Sequence, residues 1–242
     1  MKAMILAAGL GTRLGAATRG LPKAMLDVNG HPLLEYIVAA LAQHGFNDLV
    51  INLHHRGDLI REYFGDGSRW RVRISYSEER ELLGTAGAVK NVRSFFGGED
   101  FLVHYGDVVT DQDLTAMMQY HRTHDGFGTL LVHQRHGSNS VLTLDEHHRI
   151  TSFLERPAGT LKTSPTTWVH SGVSILRTPV LDLIPANSNC DLPRDVYAPA
   201  IARGESFFGW PLRGYRCAVD SPERLEELRT AVRDGRLAIR LP

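Results

Sequence analysis

The stretch Ala3-Met4-Ile5-Leu6-Ala7-Ala8-Gly9-Leu10-Gly11-Thr12-Arg13-Leu14, followed at a short distance by Pro22-Lys23, decides how the rest of the chain is read. An apolar run this short that ends in glycine predicts a buried strand over residues 3–8 breaking into a tight turn. Glycines at 9 and 11 let backbone N–H groups come close to an anion, and a helix starting after them adds the positive end of its dipole. Arg13 offers a planar, bidentate cation, and Lys23 a second positive charge. The two glycines alone suit a dinucleotide fold equally well. A dinucleotide's pyrophosphate is held mainly by backbone and helix dipole, whereas a triphosphate with a departing pyrophosphate calls for fixed cations. Thr12, Arg13 and Lys23 therefore turn the reading toward a polyphosphate cradle.

Working outward, strand and helix signals alternate. Strands are expected over 48–53, 72–77 and 101–105, and helices over 33–44, 58–64, 86–96 and 113–124. Such alternation predicts a largely parallel sheet covered by helices. Met117 and Met118 on the last of these helices read as core. From Gly128 the texture changes to short strands with close turns, 129–133, 140–144, 150–154 and 168–176, which predicts an inserted antiparallel portion. A helix over 192–203, a strand over 216–219 and a helix over 222–233 complete the pattern. Ser221 or Asp220 is placed to cap that last helix, with Pro222 at its first position. No repeat, low-complexity tract or linker interrupts the chain, and a single domain over residues 1–242 is expected. The segment 207–213 fits an interface and a core strand equally.

Composition narrows the function classes. Lys plus Arg and Asp plus Glu both number 27, so the net charge is zero, which argues against broad binding to nucleic acid or to an anionic membrane. Any phosphate site must then be local. No apolar run approaches the roughly 18 residues of a membrane span, and the opening run lacks a signal-peptide pattern, so a cytoplasmic protein is expected. The two cysteines, Cys190 and Cys217, have no metal or redox spacing and are expected to be bystanders. The histidines are scattered, and pairs such as His54-His55 and His147-His148 lack the i, i+4 spacing of a helical metal site. Solvated or capping roles are expected for them.

Further candidates lie at strand ends. Tyr105-Gly106-Asp107 places a carboxylate at the carboxyl edge of the sheet, where open α/β folds bind ligands. Magnesium takes one or two carboxylates plus phosphate oxygens, and Asp220, after the apolar Cys217-Ala218-Val219, is the best second acid. Glu155-Arg156-Pro157 pairs an acceptor with a fixed cation, suited to a sugar hydroxyl beside a phosphate. An exposed ion pair at a turn is the plainer reading of these two residues. Leu83-Gly84-Thr85-Ala86-Gly87 forms a second glycine turn before a helix, suited to reading a base or ribose through Gly84 backbone and the Thr85 hydroxyl.

Together these residues resemble the sugar-1-phosphate nucleotidyltransferases, the nucleotide-sugar pyrophosphorylases, along nearly the whole chain. Residues 7–14 are similar to the family's signature loop, Pro22-Lys23 to its Pro-Lys pair and Gly106-Asp107 to its magnesium aspartate. Phe153-Leu154-Glu155-Arg156-Pro157 resembles Phe-x-Glu-Lys-Pro, His170-Ser171-Gly172 stands where Asn-Ala-Gly is usual, and residues 219–223 resemble an Asp-Ile-Gly-Thr-Pro-Glu region. Arg156 in place of Lys changes the geometry of that cation, Ala24 replaces a frequent proline, and Asp220 lies closer to its proline than the pattern has it.

The resemblance implies a Rossmann-like three-layer α/β/α fold with a mixed, mostly parallel central sheet, a small antiparallel insertion for the sugar, and no β-helix domain. It implies in-line transfer of a nucleoside monophosphate from an NTP to a sugar- or cyclitol-1-phosphate, with Mg²⁺ as cofactor. Arg13, Lys23, Asp107 and Asp220 would be catalytic, the two aspartates holding the metal. Leu6, Ala8, Gly9, Gly11, Thr12, Gly84 and Thr85 would line the nucleotide, and Glu155, Arg156, Ser171 and Gly172 the sugar phosphate. The Leu-Gly-Thr-Ala-Gly turn is similar to that of mannose- and heptose-1-phosphate guanylyltransferases, which favours GTP and leaves uridylyl or thymidylyl transfer open. A homo-oligomer is compatible with the resemblance. Three other classes stay on the table: a glycosyltransferase using Asp111-Gln112-Asp113, an NAD(P)-dependent reductase and a non-catalytic nucleotide-sugar sensor. The glycosyltransferase leaves Arg13 and Lys23 without a role, and the reductase lacks an acid after its second strand.

Overall fold

The opening apolar run forms the strand Lys2–Leu6, which leaves its ladder at Ala7, sooner than expected. The computed structural model describes residues 1–9, 11, 20–136, 138, 140–155, 166–185 and 189–242. The fold is α/β, with a mixed sheet and helices. The described residues divide into two units. The first takes Met1–Leu82, His104–Thr115 and Arg213–Pro242, and the second takes Leu83–Val103 and Ala116–Leu212.

In the first unit, strands Lys2–Leu6, Asp48–Leu53 and Arg73–Glu78 run parallel, with Leu6 opposite Asn52 and Asp48 opposite Arg73. Leu49 through Leu53 are buried in sequence, the pattern of a parallel strand covered on both faces. Helix Leu33–Gln43 is buried from Leu33 through Leu41, Glu35 included. That carboxylate keeps no exposure, yet it accepts from Tyr63 Oη at 2.7 Å and Trp70 Nε1 at 3.2 Å and meets His31 Nδ1 at 2.9 Å. A buried acid survives only with such a set of donors.

Asp27–Val28 and His31–Pro32 form a small hairpin whose turn residues Asn29 and Gly30 have φ of 54° and 90°. Asn-Gly is a strong hairpin signal, and this hairpin adds to the elements expected above. Strand Val108–Thr110, also unanticipated, pairs antiparallel with Arg216–Ala218. Ser221 caps the helix Pro222–Arg233, its side chain accepting from the Arg224 N–H. Asp111 is tied down at both oxygens, accepting from Tyr215 N at 2.6 Å and Ala238 N at 2.9 Å, so it acts as a loop acid rather than the first residue of a metal-binding DxD.

The second unit is mainly antiparallel, as the change of texture at Gly128 implied. Strand Gly128–Arg135 pairs antiparallel with Thr167–Leu176 and parallel with Phe207–Pro211, while Ser140–Leu144 pairs with Ile150–Glu155. The segment left open above is thus a strand of the sheet through Pro211, with Phe207 buried. The helix expected over 86–96 comes as Gly84–Asn91 and Arg93–Phe96, parted at Val92. The one expected over 192–203 begins as a π-helical stretch, Leu192–Tyr197, and continues as Ala198–Ala202. Helix Leu114–His121 starts in the first unit and carries Met117 and Met118, both core as expected.

Two histidines depart from the expected solvated or capping role: His104 and His121 are buried. His121 Nδ1 and His124 Nε2 each lie 2.9 Å from Thr129 Oγ1. Cys190 and Cys217 are buried and unbridged. Among the described residues no helix is long and apolar enough to cross a membrane.

Candidate active site

Where the first strand ends, the chain needs new acceptors for its backbone donors. The Ala7 N–H donates to Asn52 Oδ1 at 2.8 Å, a side chain taking over where the ladder stops. Beside it, the Gly106 N–H donates to Leu6 O at 2.9 Å. A Cβ at Gly106 would stand 2.6 Å from that same oxygen, so only glycine lets the turn before Asp107 close on the end of the first strand. Lys23 arrives on a 3-10 turn, Lys23–Met25, entered from Pro22. Its Nζ donates to Asp107 Oδ2 at 2.6 Å, with side-chain exposures of 13% and 30%, so the pair is neither buried out of reach nor fully screened. Two residues 84 apart in sequence, each singled out from its motif, therefore meet.

Asp220 follows directly on a residue bonded to Asp107: the Val219 N–H donates to Asp107 O at 2.8 Å, continuing the pairing of Ala218 with Val108. Ser221 holds the helix cap, so capping does not account for Asp220. Ala8 is buried, Gly9 is exposed, and Gly11 has φ of 63°. Thr12 and Arg13 lie outside the described residues. Below Asp107 on the same chain segment, His104 places Nδ1 2.9 Å from Tyr105 O, and its Nε2 has no hydrogen-bond partner among the described residues. Burial pushes its pKa down to about 4, so it is neutral near pH 7.

Among the described residues no group of three or more metal-ligating side chains occurs. The first unit instead offers two carboxylates, Asp107 and Asp220, and a lysine. Carboxylate oxygens are the hard donors that magnesium takes, beside phosphate oxygens and water.

The second unit carries the other candidates. Gly84 has φ of 70°, and a Cβ there would lie 2.3 Å from Cys190 O, so this turn admits only glycine. The Thr85 hydroxyl donates to Asp191 Oδ2 at 3.1 Å and accepts from Leu192 N at 2.7 Å. It staples the turn to the start of the π-helical stretch Leu192–Tyr197, a structural duty the sequence did not disclose. Glu155 ends the strand Ile150–Glu155 half-buried, while Arg156 lies outside the described residues. Ser171 is fully buried, with its Oγ 2.8 Å from His133 Nδ1, and Gly172 has φ of 85° where the strand's register shifts between His170 and Ser174. Such a bulge re-aims side chains. His133 and Asn52 were not foreseen. Asn52 had one visible signal, a polar residue closing the apolar run Leu49-Val50-Ile51.

Residues 2–215 match the family described as nucleotidyl transferase. A UTP–glucose-1-phosphate uridylyltransferase of Synechocystis sp. is 33% identical over 223 residues, 86% of this chain and 57% of that protein. A mannose-1-phosphate guanylyltransferase of Mycobacterium tuberculosis is 28% identical over 224 residues, 91% of this chain and 61% of that protein. The chain thus spans about three fifths of the length of either relative. The crystal structure of a putative glucose-1-phosphate thymidylyltransferase from Bacillus anthracis superposes with a TM-score of 0.84 at 22% identity, covering 97% of this chain and 96% of that one. At that identity it speaks for the fold.

Proposed function

The chain belongs to the nucleotidyl transferase family, and from that premise we propose that it transfers a nucleoside monophosphate from an NTP to a sugar- or cyclitol-1-phosphate. The products are a nucleoside-diphosphate sugar and pyrophosphate. The observation that carries this reading is the Lys23–Asp107 pair at the end of the first strand, a cation and a metal-type carboxylate in contact where a polyphosphate would meet them.

In the reaction a phosphate oxygen of the sugar 1-phosphate attacks the α-phosphorus in line. The new P–O bond forms as the bond from the α-phosphorus to the α,β-bridging oxygen breaks, and that oxygen leaves with the electron pair as part of pyrophosphate. The nucleophile is already anionic near pH 7, so no general base is required. The work is to bring two polyanions together and to stabilise the charge on phosphorus and leaving group. Lys23 serves the α-phosphoryl oxygens, Arg13 the β- and γ-phosphates, and Arg156 the sugar phosphate, with Glu155 accepting from sugar hydroxyls. In the first unit Leu6, Ala8, Gly9, Gly11 and Thr12 serve the nucleotide; in the second unit the Gly84 backbone serves it, in a turn that the Thr85 hydroxyl braces, and Ser171 and Gly172 serve the sugar. Asp107 and Asp220 would hold Mg²⁺, which when bound supplies charge neutralisation between the phosphates.

GTP is the proposed donor, supported by the guanylyltransferase-like Leu83–Gly87 turn and by the guanylyltransferase relative. The more identical relative is named a uridylyltransferase, and this supports UTP as the second reading. The test is pyrophosphate release with Mg²⁺, each of GTP, UTP, dTTP, ATP and CTP, and a panel of hexose, heptose and cyclitol 1-phosphates. Release that needs both substrates and is fastest with GTP supports the proposal, and a faster UTP reaction moves it to the second reading. Tight NTP binding without release from any pair supports the sensor instead.

A further inference from the structure

When a chain leaves a parallel sheet to form an anion-binding turn, the direction of departure is set by whichever acceptor takes the first N–H beyond the ladder. Here that N–H belongs to Ala7, and its acceptor is the Asn52 side chain at 2.8 Å, in a buried setting. Asn52 stands opposite Leu6 in the register of the two strands, so its carboxamide lies one step past the last backbone pair. A carboxamide has two faces, one accepting and one donating. Its donor face is fixed by Glu79, whose Oε1 accepts from Asn52 Nδ2 at 2.8 Å, again in a buried setting.

Glu79 is itself held from both sides of its peptide. Its N–H donates to Leu53 O at 2.8 Å, and its carbonyl oxygen lies 2.8 Å from His54 Nδ1. Glu79 is 7% exposed and Asn52 3%, so neither residue can exchange its partner for water without opening the sheet edge. The order Glu79, Asn52, Ala7 is therefore directional. A carboxylate orients an amide, and the amide orients the backbone that leads into Ala8, Gly9 and Gly11.

We propose that Asn52 is a positioning residue for the nucleotide-binding turn, with Glu79 fixing the orientation of its amide. The proposal rests on the nucleotidyl-transfer reading of that turn. Asn52 acts through Ala7, so its removal should weaken the nucleotide side of the reaction and spare the sugar-phosphate side.

The test exchanges donor and acceptor. In N52D the new carboxylate still accepts from the Ala7 N–H but faces the Glu79 carboxylate. In N52D/E79Q that carboxylate accepts again, now from an amide at position 79. The primary readout is the dissociation constant of GTP–Mg²⁺ by calorimetry, or of whichever of the five nucleotides binds wild type best, with far-UV circular dichroism confirming the fold. KM for nucleotide and KM for sugar phosphate are the second readout.

N52D is expected to weaken nucleotide binding by about tenfold or more while leaving the sugar-phosphate KM within about twofold. The double variant should recover to within about threefold of wild type. A purely structural residue would move both KM values together or neither. Wild-type nucleotide affinity in N52D overturns the proposal, and so does a folded double variant no better than N52D. If N52D does not fold, the double variant alone decides. A wild type that binds nucleotide yet releases no pyrophosphate overturns the nucleotidyl-transfer reading, and the binding comparison still decides the role of Asn52. A wild type that binds none of the five overturns both.

Discussion

Lys23 and Asp107 show what a motif conveys and what it leaves out. Each was legible because its neighbours are: Pro22 fixes the approach to Lys23, and Gly106 is required by the 2.6 Å approach to Leu6 O. Their direct contact was not legible, since it depends on how the fold brings a 3-10 turn against the end of a strand distant in sequence. Removing one preorganised charge from a phosphoryl-transfer site typically costs about 10²–10³ in rate. Lys23→Ala and Asp107→Ala should each lose at least that in kcat by pyrophosphate release, with an unchanged circular dichroism spectrum. Near-normal turnover in either variant, with every NTP, would remove that residue from its proposed role. Thr85 and Asn52 mark the limit of reading by residue. A threonine in a glycine turn looks like a ligand hydroxyl until Asp191 and Leu192 are seen to occupy it, and an asparagine at a strand end looks like nothing until Ala7 needs an acceptor.

Elements were legible wherever local chemistry alone determines them. The helix Pro222–Arg233 begins where a serine, a proline and an acid come in succession, and the Ser221 hydroxyl takes the Arg224 N–H. Ser221→Ala should cost about 1 kcal/mol in urea unfolding with an unchanged denaturant slope. A loss below about 0.3 kcal/mol would mean that water replaces the cap. The helix Gly84–Asn91 starts earlier than expected, at a residue with φ of 70° whose added Cβ would meet Cys190 O, features that helix propensity does not convey. Gly84→Ala combines that positive φ with a Cβ 2.3 Å from a carbonyl oxygen. It should destabilise by about 1–3 kcal/mol, and a variant with wild-type stability would show that the Cys190 segment yields freely. Burial of His104 and His121 escaped notice for a related reason, since an isolated histidine carries no local signal of what will pack over it.

At the scale of the whole molecule, composition and alternating pattern indicated α/β class, but not the partition into two units. The chain passes between them at residues 82–83, 103–104, 115–116 and 212–213 without a linker or a shift in composition. The molecule's response to acid is likewise a sum over the fold. Burial pushes His104 down to about 4, His121 to about 3 and His124 to about 4 from the ordinary 6.5, with the charges of neighbouring His124 and Arg177 helping at His121. A cationic group whose folded pKa is depressed binds its proton first in the unfolded chain. Stability is therefore complete above about pH 6.5 and falls as acid protonates the unfolded state, by up to about 1.4 kcal/mol per pH unit for the fully buried His104. The share of half-buried His124 is smaller because solvent screens it.

Carboxylates pull in a lower window. Asp182, Asp195 and Glu226 are held below their usual values by hydrogen bonds from Arg93, Arg194 and Arg233, so they lose their contribution only near pH 4 and below. Between about pH 6.5 and 4.5 the slope thus belongs to the histidines. Urea midpoints should fall on going from about pH 7.5 to about pH 5. His121→Gln, whose amide can still donate to Thr129 Oγ1, should flatten that fall while changing the midpoint little near neutrality. A wild-type midpoint that does not move across this range would mean that these imidazoles are charged in the folded protein.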